Sequence, residues 1–257
     1  MTKKRRKKVS VIFPTYNEKE SIKAAIIDFF ATGLVDEIVV VNNNAAPGTD
    51  EEVRKTKAKL VHEKKQGYGF AIQRGFREVK GDIIVVSEPD GTFVGKDIEK
   101  MLIYHADGFE AVFGSRTVKS LIWEGANMGF LLKWGNVLVA KMIEFLFLSP
   151  AQLTDAGCTM KLFSRKALRK IQPHFSIRGS HFGPEMIILT LLNDVDFIEI
   201  PINYLPRVGE SSVTGNWQKT VILATRMIIL AFNYRLKSLF SREKLGRHIS
   251  RRRKRRR

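Results

Sequence analysis

The chain has 257 residues, with 44 Lys and Arg against 26 Asp and Glu, a formal charge of +18 and a pI near 10.1. Hydrophobic residues make up 44%, which excludes wholesale disorder and fibrous classes, and the one cysteine, Cys158, excludes a disulfide scaffold or cysteine-rich zinc module and fits a reducing compartment. The excess charge sits at the ends: residues 3–8 carry six bases, residues 247–257 carry eight, and 30 bases face 26 acids between them. Residues 1–8 and 242–257 are therefore expected to be disordered basic tails that bind polyanions, either an anionic membrane surface or nucleic acid. No secretory leader is expected, because the opening basic run leads into a short strand rather than an apolar segment.

From residue 9 to about 115, β-branched runs alternate with helix-like stretches. Strands are predicted at Val9–Phe13, Glu37–Val41, Ala58–His62, Asp82–Val86 and Ala111–Phe113. Helices are predicted at about Glu18–Ala31, Thr49–Thr56, Gly69–Val79 and Lys96–His105. This alternation implies an α/β domain over residues 9–216, a mostly parallel sheet with helices on both faces. Such sheets bind ligands at the carboxyl ends of their strands, so the loops at 14–18, 42–48 and 87–93 are the places to look.

Residues 119–148 are apolar with scattered polar positions, and suit either core helices or helices lying in a membrane interface. In residues 217–241, Lys219, Arg226, Asn233 and Lys237 fall along one helical face among apolar neighbours, an amphipathic and membrane-interfacial pattern. Neither stretch offers the roughly 20 uninterrupted apolar residues of a spanning helix.

Four groups of residues suggest chemistry. Pro14-Thr15-Tyr16-Asn17-Glu18 closes the first strand with a proline, an aromatic that can pack on a base or ribose, and an acid that can accept hydrogen bonds from it. Asn42-Asn43-Asn44 ends the second strand with short polar groups, which are equally good turn formers. Gly67-Tyr68-Gly69-Phe70-Ala71, followed by Arg74-Gly75, reads as a glycine-rich turn that allows close backbone approach beside a donor site, with Ala71 lining it and Arg74 positioned for a phosphate. Glu88-Pro89-Asp90 follows an apolar strand directly, and two carboxylates so placed can hold Mg²⁺ or Mn²⁺ against a diphosphate. Further along, Arg116 is suited to an anionic acceptor, Asp155 to a general base or acceptor-orienting role, and Arg207–Ser212, with Ser211, has an anion-binding composition. Cys158 is read as a buried small residue.

In this order the segments VIFPTYNE (11–18), EIVVVNNN (37–44), Gly67–Gly75, GDIIVVSEPD (81–90), Gly114-Ser115-Arg116, TDAGCTMKLFSR (154–165) and Arg207–Ser212 resemble a family 2 glycosyltransferase of the dolichyl- or polyprenyl-phosphate sugar synthase type, over about residues 9–215. The resemblance implies a GT-A fold and inverting sugar transfer from a nucleotide-diphospho-sugar to an acceptor, commonly a lipid phosphate, at the cytoplasmic face of a membrane. It implies that Pro14, Tyr16, Glu18 and Asn42 line the nucleotide and that Glu88 and Asp90 form the metal motif. It also places Arg116 and Arg207 on phosphate groups and Asp155 near the acceptor. Glu88 replaces the usual first aspartate of that motif, Asn42 and Asn43 stand where two aspartates are common, and Ser212 stands where lysine is frequent. A different class of function, a degenerate transferase domain tethered to membrane or nucleic acid by its tails, is the alternative.

Overall fold

The computed structural model describes residues 5–126, 128–209 and 217–240. All five predicted strands form: β1 (Val9–Thr15), β2 (Glu37–Asn42), β3 (Lys59–His62), β4 (Ile83–Val86) and β5 (Ala111–Ser115). Two more follow, β6 (Lys161–Ser164) and β7 (Phe197–Pro201). The helices are α1 (Lys19–Ala31), α2 (Thr49–Arg54), α3 (Tyr68–Glu78), α4 (Asp97–Ala106), α5 (Phe130–Leu146), α6 (Arg165–Ile171), α7 (Phe182–Leu192) and α8 (Trp217–Phe240).

The strands form a single sheet in the order β3-β2-β1-β4-β6-β5-β7, all pairing in parallel except β6, which runs antiparallel to both β4 and β5. The inner strands are apolar at almost every position because both faces are covered. Ile12, Ile84 and Val86 face one core with Ile72 and Phe76 of α3, while Val11, Phe13, Ile83 and Val85 face the other with Ile22, Ile26 and Phe29 of α1.

Strand order turns back on itself between β1 and β4, the position where an open α/β sheet leaves a crevice for ligands. Pro14 shapes that crevice. Pairing of β1 with β4 ends at Ile12 opposite Val86, whereas pairing with β2 continues through Pro14 opposite Val41 to Thr15 opposite Asn42. The proline thus does not stop the strand, as its lack of an N–H suggested; sheet pairing is lost on the β4 side alone.

Helix α8 is part of the body rather than a separate appendage: it packs on α5 and α7, and Met227, Leu230 and Ala231 enter the larger core. Both α5 and α8 nevertheless leave apolar stripes in solvent. On α5 these are Trp134, Leu138 and Phe145, continued by Leu148, with Phe145 78% and Leu138 68% exposed. On α8 the exposed positions are Ile222, Ile229, Phe232, Leu236 and Leu239, at helical spacing and beside exposed Arg226 and Lys237. Among the described residues no helix is long and apolar enough to cross a membrane.

The start of the body lies earlier than residue 9. Arg6 pairs with Asp36, Arg5 lies 3.5 Å from Asp82, and the Lys8 N–H donates to Asp82 at 2.9 Å, so residues 5–8 lie against the fold. Residues 1–4, 241–257 and Glu210–Ser212, with Ser211, lie outside the described residues.

Candidate active site

Asp90 sits just past the end of β4 and is 1% exposed. Its Oδ1 accepts from the Thr92 N–H at 2.9 Å and the Thr92 hydroxyl at 2.6 Å, which fixes the carboxylate within its turn. Its Oδ2 accepts from Arg207 Nη1 at 2.6 Å. Arg207 Nη2 donates in turn to Glu18 Oε1 at 2.7 Å. Glu18 is held through its other oxygen, which accepts from the Tyr16 and Asn17 N–H groups at 2.7 and 2.9 Å and the Thr15 hydroxyl at 3.2 Å. The loops after β1, β4 and β7 thus meet at one cluster of charge.

Glu88 stands beside this cluster, half-buried, and no described residue hydrogen-bonds to its carboxyl group. Burial first, then the charge of Asp90, pushes its pKa up to about 8. Such a carboxyl suits a cation. Among the described residues no three His, Cys, Asp or Glu side chains form a protein-only cage. Two neighbouring oxygen donors with the remaining positions left to phosphates and water are the usual arrangement for Mg²⁺ or Mn²⁺, a donor chemistry that Glu88 and Asp90 supply, with Asp90 Oδ2 now on Arg207.

A second cluster lies beyond β5. Arg116, at the end of the strand, donates from Nε and Nη2 to both oxygens of Asp155 at 2.8 and 2.9 Å, and its N–H donates to Asp155 Oδ2 at 3.0 Å. Burial alone would raise the Asp155 carboxyl, but the charge and hydrogen bonds of Arg116 outweigh it and hold it below the usual carboxylate range. Asp155 is therefore a poor proton acceptor; it fixes Arg116, whose guanidinium also lies 5.1 Å over the Tyr204 ring. Cys158 is fully buried and its thiol is pushed up to about 12 by that burial, as expected of a packing residue.

The remaining expected positions divide. Pro14 is buried at the crevice and Tyr16, 43% exposed, stands at its mouth. Asn42 donates to Asp50 at 2.6 Å and accepts from the Ala45 N–H at 2.8 Å; Asn43 donates to the Glu63 and Lys65 carbonyls and accepts from the Gly67 N–H. These asparagines chiefly fasten turns. Ala71 is buried in the core and Arg74 pairs with Glu78 at 2.8 Å, so neither joins the charged cluster. The glycine-rich turn does allow close approach, but to another part of the chain: a Cβ at Gly69 would lie 2.6 Å from the Ile177 carbonyl oxygen, and the Gly69 N–H donates to the Arg178 carbonyl.

Sequence reasoning missed Thr92, which holds Asp90, and Tyr68. The Tyr68 hydroxyl is buried, and burial and the charge of Glu88 raise its pKa well above the ordinary value. The Thr159 hydroxyl, two residues before β6, is buried beside it. Tyr68 and Thr159 fall within segments already quoted, Gly67–Gly75 and 154–165, but nothing there singled out their hydroxyls.

Residues 10–172 match the profile of Glycosyl transferase family 2. The chain belongs to that family. It is 30% identical over 213 residues to the low-salt glycan biosynthesis hexosyltransferase Agl6 of Haloferax volcanii, covering 80% of this chain and 49% of that protein, so it spans about half the length of this relative. It is 26% identical over 207 residues to a dolichyl-phosphate hexose transferase of the same organism, covering 80% and 86% of the two chains. A solved glucosyl-3-phosphoglycerate synthase of Mycobacterium tuberculosis, in complex with Mn²⁺, uridine diphosphate and phosphoglyceric acid, superposes with a TM-score of 0.67 at 16% identity, over 89% of this chain and 78% of that one. The fold is that of the GT-A glycosyltransferases.

Proposed function

We propose that this glycosyltransferase moves a hexose from a nucleotide-diphospho-sugar to a polyprenyl or dolichyl phosphate, working peripherally at the cytoplasmic face of a membrane. The observation that carries this is the meeting of Asp90, Glu88, Glu18 and Arg207 at the β1/β4 crevice, next to the Asp155-fixed guanidinium of Arg116. Pro14, Tyr16 and Glu18 border the side where a nucleotide would lie. Asp90 and Glu88 are the residues that would hold a divalent cation, Mg²⁺ or Mn²⁺, which would supply positive charge for the departing nucleoside diphosphate.

The rest is done by the chain's own side chains. Arg116 presents a fixed positive charge to an anionic acceptor, and Arg207 adds a second from the loop after β7. An acceptor phosphate oxygen attacks the anomeric carbon while the bond from that carbon to the diphosphate oxygen breaks, and the electron pair leaves with the nucleoside diphosphate. An ionised phosphate needs no proton removed, which agrees with an Asp155 committed to Arg116 rather than to base catalysis. The exposed stripes of α5 and α8, with Arg226 and Lys237 beside one of them, favour a lipid acceptor, because they have the composition of a surface that lies in an anionic membrane interface.

The names of two relatives support the lipid acceptor, one a dolichyl-phosphate hexose transferase and the other a dolichol-phosphate mannosyltransferase that is 36% identical over 119 residues. A screen of radiolabelled nucleotide-sugars against polyprenyl phosphate and against 3-phosphoglycerate tests this. A labelled lipid product that requires a divalent cation is expected. Product on the soluble acceptor alone would move the assignment away from lipid. No product with any donor would favour a tethered binding protein.

A further inference from the structure

Arg207 is held in a way that phosphate binding alone does not explain. Thr92 occupies Asp90 Oδ1, and the turn at 15–17 occupies Glu18 Oε2. The guanidinium bonds the two oxygens that remain, Asp90 Oδ2 at 2.6 Å and Glu18 Oε1 at 2.7 Å. Its backbone is held in register with the same turn: the Val208 N–H donates to the Asp90 carbonyl and the Leu205 N–H to the Thr92 carbonyl, each at 2.9 Å. This arginine is seated, with its side chain 20% exposed, and not a surface side chain resting on an acid.

The electrostatic reason is plain. Glu18, Glu88 and Asp90 bring three carboxyl groups to one crevice, and a guanidinium between two of them offsets repulsion in a setting where water screens poorly. A divalent cation would do the same for Asp90, and the oxygen that Thr92 leaves to it is the one that Arg207 holds.

We propose that Arg207 is a resident counter-ion that competes with the divalent cation for Asp90 Oδ2, so that metal uptake and release of the guanidinium are one exchange. The inference rests on Asp90 being a metal ligand. It adds that the freed arginine becomes available to phosphate at the step when the metal arrives, and that the wild-type chain binds metal more weakly than its carboxylates alone would. If the paired arrangement is favoured ten to one, apparent metal affinity is reduced about tenfold.

The test is Mn²⁺ binding to the EDTA-treated full chain without nucleotide, read from the loss of the free-ion electron paramagnetic resonance signal. Arg207→Gln is expected to bind Mn²⁺ about tenfold more tightly than wild type, and Arg207→Lys, which keeps the charge, to stay within about threefold of it. Asp90→Asn is expected to remove binding in both the wild-type and the Arg207→Gln backgrounds. Equal or weaker binding by Arg207→Gln, with binding still dependent on Asp90, overturns the exchange and leaves the metal assignment standing. Binding indifferent to Asp90→Asn, or absent from every variant, overturns both. Should Arg207→Gln fail to fold by circular dichroism, Glu18→Gln removes the other anchor: tighter binding supports the exchange, and unchanged or weaker binding overturns it.

Discussion

At the strand-end crevice, Glu18 and Asp90 are drawn largely out of water and share one guanidinium, that of Arg207, whereas along α5 and α8 leucine, isoleucine and phenylalanine side chains remain largely exposed. The crevice concentrates polar groups where burial is expensive, and the helices expose apolar area where solvent makes it unfavourable. The exposed side chains take no place in either core, although Val139, Ala140, Ile143, Met227, Leu230 and Ala231 of the same two helices do. The contrast separates a rigid polar site, set by backbone turns, from an apolar face that suits a lipid boundary. A transferase that joins a water-soluble donor to a lipid acceptor needs both.

Each side of the contrast can be broken separately. Asp90→Asn is expected to have the largest effect, lowering transfer by at least about a hundredfold, because it would remove a ligand of the cation proposed to offset charge on the leaving group. Near-normal turnover in a folded variant would remove the metal assignment. Asp155→Asn comes next. It leaves the buried Arg116 guanidinium without its partner and is expected to destabilise the fold by about 3–5 kcal/mol in urea unfolding, with loss of activity. A cost below about 1 kcal/mol would mean that Arg116 is not held by this pair.

The double change Leu138→Glu with Phe145→Glu addresses the other side. Because both residues are largely exposed, stability should shift by no more than about 0.5 kcal/mol per site. Binding to liposomes containing anionic lipid should fall roughly tenfold, with transfer to a soluble acceptor analogue unchanged. Unaltered liposome binding would detach the α5 face from the membrane.

The smallest expected effect concerns pH. The Glu88 pKa is raised from the ordinary 4.5 to about 8, so between those values the folded chain binds more protons than the unfolded one, and stability falls as pH rises through that window. Glu88→Gln lacks this loss. Without added metal, its stability relative to wild type should grow steadily from pH 5 to pH 8.5. A difference that is flat with pH would show that Glu88 titrates normally.

Much of this was legible in the chain. Strands β1 to β5 lie within two residues of their predicted ends because each is a β-branched run bounded by turn formers, and family segments marked Asp90, Glu18, Arg116 and Arg207. The antiparallel strand β6 was not predicted, since four residues followed directly by a helix carry little period of their own. Pairing of charges was also hidden. Arg207 and Glu18 are 189 positions apart, and only the folded sheet shows that the guanidinium rests on the carboxylates rather than facing a phosphate. Ala71 and Arg74 belong to a glycine-rich segment that suggested ligand contact, and its closest approach is to the 177–178 backbone, which sequence spacing alone did not reveal.

The most direct measurement is a crystal structure of the full chain with Mn²⁺ and the nucleotide-sugar that the donor screen identifies. The account predicts anomalous density for manganese beside Asp90, a diphosphate next to it in the crevice between β1 and β4, and Arg207 no longer on Asp90 Oδ2. Manganese and nucleotide bound elsewhere, with Arg207 still bridging Asp90 and Glu18, would contradict it.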